Sequence, residues 1–154
     1  MRKSRNNLGL RRGDIILAYT FLRLIVGINY FNHGFTRLGN IPDFVAGMVD
    51  KFQGTFIPEI LIRINAALVP PVELIVGLLI TIGLLTRSAL IACFALMLIL
   101  MYGVTLVQDW QVAGGQLTYN LALFILLAGL GFNTISVDNW WQKRSKRSKD
   151  NLGK

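Results

Sequence analysis

Four long runs of apolar residues, separated by short polar or charged connections, set the pattern of this chain. They cover residues 15–38, 64–85, 88–107 and 117–135. Each approaches the roughly 20 residues that a helix needs to cross about 30 Å of hydrocarbon. The bilayer interior offers no water to unpaired backbone groups, so runs this long and apolar predict membrane-spanning helices. Between the first two runs, Phe44, Met48 and Phe52 recur at i, i+4 and i+8, with Val45 and Val49 beside them. That spacing predicts a short amphipathic helix in the membrane interface, ended by Gly54 and Pro58. The expected fold is all-α: a four-transmembrane-helix bundle with a short interfacial helix between the first and second spans. The expected organisation is a basic tail over 1–14, a membrane domain over 15–141 and a second basic tail over 142–154.

Composition strengthens this picture. Of the 154 residues, 53% are hydrophobic and only 16% charged, more apolar surface than so small a soluble domain can bury. The formal charge of +8 raises nucleic acid as a partner, but the basic residues form neither a face nor a stripe. Most lie in blocks at the two ends, among them Arg2, Lys3, Arg5, Arg11 and Arg12, then Lys143, Arg144, Lys146, Arg147, Lys149 and Lys154. Such blocks anchor apolar segments against anionic lipid, so the bilayer is the expected partner and nucleic acid is not. Arg87, in the turn between the second and third runs, lies on the same side as the termini. The other two connections carry only Lys51 and Arg63. The positive-inside rule then puts both termini in the cytoplasm and the protein in the plasma (inner) membrane. The first run is long, contains Arg23 and lacks a small-x-small cleavage site, so it reads as a retained helix. The single cysteine, Cys93, excludes an intrachain disulfide or CxxC pair and reads as a small core residue.

The candidate chemistry is at membrane depth, where ionisable groups are expensive. Arg23 is about eight residues into the first span, roughly 12 Å at the helical rise. Glu73 is roughly 18 Å deep in the second. An isolated central arginine costs about 3 kcal/mol, which predicts a buried Arg23–Glu73 pair. Arg23, Gly27, Tyr30, Gly34 and Arg37 share one face of the first helix, and the glycines there, with Gly77 on the second, predict close helix packing. Asn29, Asn32 and His33 flank that face, and Tyr119 and Asn120 offer polar atoms from the fourth helix. The ligand-binding candidates are thus Arg23, Glu73, Tyr30, Asn29, His33, Arg37 and Asn120. Bland readings stand beside these: the Arg–Glu pair as a clamp on helix register, and Arg37 snorkelling to the surface. His33 is the only histidine, so no metal site is expected and bis-histidine haem is excluded from this chain alone. Pro70 and Pro71 predict a kink or opening just before Glu73.

These residues together resemble the DoxX family of small four-helix membrane proteins. FLRLIVGINYFNHGFTRL is similar to the family's R-L-x-x-G…F-x-x-G-x-x-[KR]-L opening, and PPVELIVGLLITIGLLTRSAL to its E-x-x-x-G…G-x-x-T-R-x-A pattern. GFNTISVDNWW is similar to its G-P-G-x-x-S-L-D ending, with Phe132 and Asn133 in place of Pro-Gly. The resemblance runs from about Leu22 to Trp141. It implies a helical membrane protein whose relatives include subunits of a thiosulfate:quinone oxidoreductase and members of membrane complexes tied to thiol or oxidative stress.

Two functions follow as expectations. One is a membrane subunit of an oxidoreductase or stress-defence complex, holding a quinone or small sulfur species in an intramembrane Arg/Glu pocket. No intrinsic cofactor is expected. The chain has no dithiol, Fe–S spacing or flavin fingerprint, so electron transfer would run through a bound quinone or a redox partner. The other is a scaffold, assembly or small-solute permeation protein with a structural Arg–Glu pair. Both leave homo-oligomerisation open.

Overall fold

The structure, a computed structural model, describes residues 11–152, with side chains through 145. The first ten residues of the N-terminal basic stretch and the side chains at the end of the C-terminal one lie outside the described residues. Helices α1 (Arg12–Leu38), α2 (Ile41–Lys51), α3 (Glu59–Ile82), α4 (Thr86–Leu106), α5 (Trp110–Ala128) and α6 (Val137–Leu152) follow in order. A 3-10 turn at Leu130–Phe132 separates the last two. α1, α3, α4 and α5 are each long and apolar enough to span a membrane, and α2 is the short amphipathic helix between the first span and the next. Phe21, Ile25, Phe35, Leu98 and Phe124 are all more than half exposed on the outside of the bundle. In water this surface would be an aggregation hazard, whereas lipid solvates it. The chain is a multi-pass membrane protein.

With lipid tails as apolar as leucine, the helices associate by close packing rather than by the hydrophobic effect. α1 and α3 show how. A Cβ at Gly27 would overlap the backbone of Thr81, one at Gly34 the backbone of Pro70 and Leu74, and one at Gly77 the backbone of Phe31. The two helices run antiparallel with their backbones in contact, and all three glycines are required by that approach. Ile80, Leu90, Cys93, Leu123 and Leu126 are fully buried where α3, α4 and α5 meet. α3 runs as one helix through Pro70 and Pro71, so no break precedes Glu73.

At the end that carries the termini, side chains close the helix ends. The Tyr19 hydroxyl donates to Leu126 O (3.0 Å) in the last turn of α5. Gly83 ends α3 in the left-handed region (φ 71°), and Leu85 follows at φ 49°, a conformation that a leucine adopts only when held there. Asp138 from α6 holds it. Its carboxylate accepts from Leu85 N (2.8 Å), Thr86 N (2.8 Å) and Thr86 Oγ1 (2.8 Å), capping α4 from outside the helix. Asn133 Nδ2 adds a bond to Thr86 Oγ1 (3.0 Å).

At the opposite end, Lys51 of α2 pairs with Asp109 (2.6 Å), whose other oxygen accepts from Val112 N and caps α5. The Lys51 hydrogen bond first, then the Val112 N–H, hold this carboxyl below its ordinary value. That cap explains why the fourth span begins at Trp110 rather than at Leu117. Gly114, Gly115 and Gln116 dilute its first two turns, so hydropathy alone starts the span late. α6 begins at Val137, inside the expected membrane domain, where Ser136 Oγ accepts from Asn139 N (3.3 Å), and it runs on into the stretch read as tail.

Candidate functional site

The buried charges do not pair as their depths suggested. Arg23 is 3% exposed and does not reach Glu73. Its Nη1 donates to Ile80 O (2.8 Å) and Thr81 O (3.1 Å), and its Nη2 to Ile135 O (2.9 Å). Two of these acceptors are carbonyls in the last turn of α3, at the negative end of its dipole, and Ile80 O also accepts from the capping Gly83 N (3.2 Å). A guanidinium with several fixed donors suits that helix end directly. Arg23 is therefore a helix-end clamp that also ties down the segment before α6, and it takes no part in the cavity described below. A Cβ at Gly83 would displace it.

Glu73 pairs with Arg37 instead. Arg37 Nη1 donates to Glu73 Oε2 at 2.7 Å, with the carboxylate side chain 6% exposed and the arginine 32%. Arg37 does not snorkel away, because it stacks over the Phe44 ring of α2 (5.0 Å) while its head reaches α3. The antiparallel α1–α3 register, fixed by Gly34 against Leu74, places position 37 opposite the turn that carries Glu73. A sequence reading by depth missed this: it took both helices to start at the membrane surface, whereas α1 begins at Arg12 and overshoots the end of α3.

The pair borders a half-open cavity of 390 Å³ lined by residues of α1, α2, α3, α4 and α5. Asn29, Tyr30, His33 and Arg37 line it from α1, Glu73 from α3, and Gln116 and Tyr119 from α5. Phe44 and Met48 of α2 and Met97 and Leu100 of α4 supply apolar wall, and Lys51 lies at the α2 side. Tyr30 is 4% exposed and packs edge-on to Tyr119, with ring centroids 6.2 Å apart. Among the described residues its hydroxyl has no hydrogen-bond partner, and neither has the buried Gln116 Oε1. Both residues line the cavity, and a buried polar atom without a protein partner calls for an explanation.

Of the seven sequence candidates, Asn29, Tyr30, His33, Arg37 and Glu73 meet here. Arg23 is committed elsewhere, and Asn120 turns back on its own helix to Gln116 O (3.0 Å). Gln116, Lys51 and Met97 were not anticipated. Gln116 is four residues before Asn120 on the same helical face, a signal masked by starting the span at Leu117, seven residues after the helix begins at Trp110. The fourth span thus contributes polar groups to the cavity through Gln116 and Tyr119. Cys93 is fully buried in the core. Among the described residues no three His, Cys, Asp or Glu side chains gather as a metal site would require.

A four-span bundle that sets a carboxylate–guanidinium pair and an unpartnered phenol around a central cavity defines a small polytopic membrane protein with an intramembrane polar site. Residues 18–107 match the DoxX family, and the chain belongs to it. No curated protein and no solved structure matches the chain. The matched residues carry α1 to α4 with Arg23, Arg37, Glu73 and the packing glycines. Gln116, Tyr119 and Asp138 lie beyond them.

Proposed function

We propose that this chain is a membrane subunit of an oxidoreductase or stress-defence complex and that its cavity binds a quinone or a small sulfur species. The observation that carries the reading is the Tyr30 hydroxyl, buried and unpartnered beside the Glu73–Arg37 pair. A ring with a polar edge matches such a space: aromatic and thioether walls take the ring, and Tyr30, Asn29 and His33 supply hydrogen bonds. Quinone would bring two-electron redox chemistry, which this chain's own side chains lack. Arg37 and Glu73 would orient the polar edge. Asn29 and His33 on α1 and Gly115 and Tyr119 on α5 line the cavity while keeping exposed surface, which suits entry between these helices from lipid. The distribution of lysine and arginine supports termini on the cytoplasmic side.

The test is quinone binding to the protein in nanodiscs, with copurification of a redox partner from native membranes as a second readout. Saturable binding that weakens about ten-fold in Tyr30→Phe supports the reading, since one neutral hydrogen bond is worth about that factor. Absence of saturable binding by quinone and by thiosulfate, with no redox partner, overturns it.

A further inference from the structure

The charges around the cavity cancel locally. Glu73 is joined to Arg37 at 2.7 Å and Lys51 to Asp109 at 2.6 Å, so each lining cation is already matched by a carboxylate. An anion entering this space would have to break one of those pairs or stay uncompensated at membrane depth. What the cavity leaves open is hydrogen bonding. Gln116 Oε1 is a buried acceptor with no donor, and Tyr30 OH can give and take one bond. Glu73 accepts from Arg37 through Oε2, and among the described residues no donor reaches its Oε1.

Building on the ligand-binding reading above, we propose that the cavity selects an uncharged aromatic ring bearing a hydroxyl, such as a phenol or the reduced form of a quinone, over an anion or the same ring with its hydroxyl capped. A hydroxyl both donates and accepts. It can accept from Tyr30 while giving its one proton to Gln116 or Glu73, so it meets the Tyr30 donor and one of the two acceptors. A capped oxygen accepts from Tyr30 alone and leaves both acceptors unmet. The ring itself lies against Met97, Leu100 and the edge-on Tyr30–Tyr119 pair.

Three probes separate the alternatives: 4-hexylphenol, its methyl ether 4-hexylanisole, and thiosulfate. Each is equilibrated with the protein in nanodiscs and with protein-free nanodiscs of the same lipid, so that simple partitioning is subtracted. The expected result is saturable excess binding of 4-hexylphenol, with the ether weaker by about ten-fold or more and thiosulfate not bound. Gln116→Leu should bring the phenol towards the affinity of the ether and leave the ether unchanged. Tyr30→Phe removes a donor that both probes accept from and should weaken both. A cooperative melting transition in each variant shows that the bundle is intact. Equal affinity for phenol and ether, or saturable binding of thiosulfate, overturns the selectivity while leaving the cavity a binding site. If none of the three probes and no quinone binds the folded protein, the cavity reading itself falls and the selectivity with it.

Discussion

Arg23 and Arg37 sit on the same face of α1, yet they do different work. Arg23 gives its donors to carbonyls, two of them at the end of α3. Arg23→Leu should therefore cost about 3 kcal/mol of bundle stability, since three backbone acceptors lose a charged donor that is itself buried. Because Glu73 is not its partner, Glu73→Gln should not rescue that loss. Unfolding of the two single variants and the double variant in detergent should show near-additive effects. Arg37→Met behaves differently, for it strands a carboxylate that is 6% exposed. Its cost should be about 2 to 3 kcal/mol, below the full buried range because the arginine is 32% exposed, and the added Glu73→Leu should recover most of it. Additivity at position 37, or rescue at position 23, would reverse the assignment. The sequence identified both arginines and the glutamate as groups needing explanation, because insertion energetics single them out. Which arginine meets the glutamate depends on how far α1 slides along α3, and that offset is set by three glycine contacts spread over both helices.

The elements show the same division between pattern and placement. Hydropathy located four spans and periodicity located α2, since each signal is carried by residues within one element. Helix ends were less legible where a cap comes from a distant residue: Asp138 caps α4 from another helix, and Asp109 starts α5 within a stretch that polar residues make look like a loop. The glycine contacts can be tested directly. Gly77→Ala puts a methyl onto the Phe31 backbone, so α1 and α3 must separate. A destabilisation of about 2 kcal/mol or more is expected, against nearly none for Gly47→Ala on α2, where a Cβ meets open space. Equal effects at the two positions would contradict the packing. The tether of α2 carries a pH dependence. Asp109 is held below its ordinary value of 3.8 by Lys51 and Val112, so its contribution is present above that value and is lost as the pH falls through the lowered folded value. Amide exchange in α2 should quicken over that acid range and become independent of it in Asp109→Asn. An unchanged acid response in that variant would assign the loosening to another group.

At the scale of the whole molecule, the bundle separates support from chemistry. The termini end is closed by Tyr19, Arg23 and Asp138, each satisfying backbone at a helix end. The other half holds the cavity, roofed by α2, where Tyr30 OH and Gln116 Oε1 lack protein partners, as Arg23 Nε and Asn133 Oδ1 do at the termini end. The sequence suggested a site between the first two spans. The structure draws in α2, α4 and α5 as well, which no reading of one helix face could supply because Gln116 and Tyr119 join Tyr30 only through tertiary packing. The division has a consequence for mutants: changes at Arg23 or Asp138 should lower stability with ligand affinity little altered in the folded fraction, whereas Tyr30→Phe should do the reverse. The most direct test of the account is a high-resolution structure of the protein taken from its native membrane without exchange of bound molecules. The account predicts non-protein density in the cavity within hydrogen-bonding distance of Tyr30 OH and Gln116 Oε1, with Arg37 still on Glu73. A cavity closed by side chains, or an Arg23–Glu73 pair in place of the Arg37 contact, would contradict it.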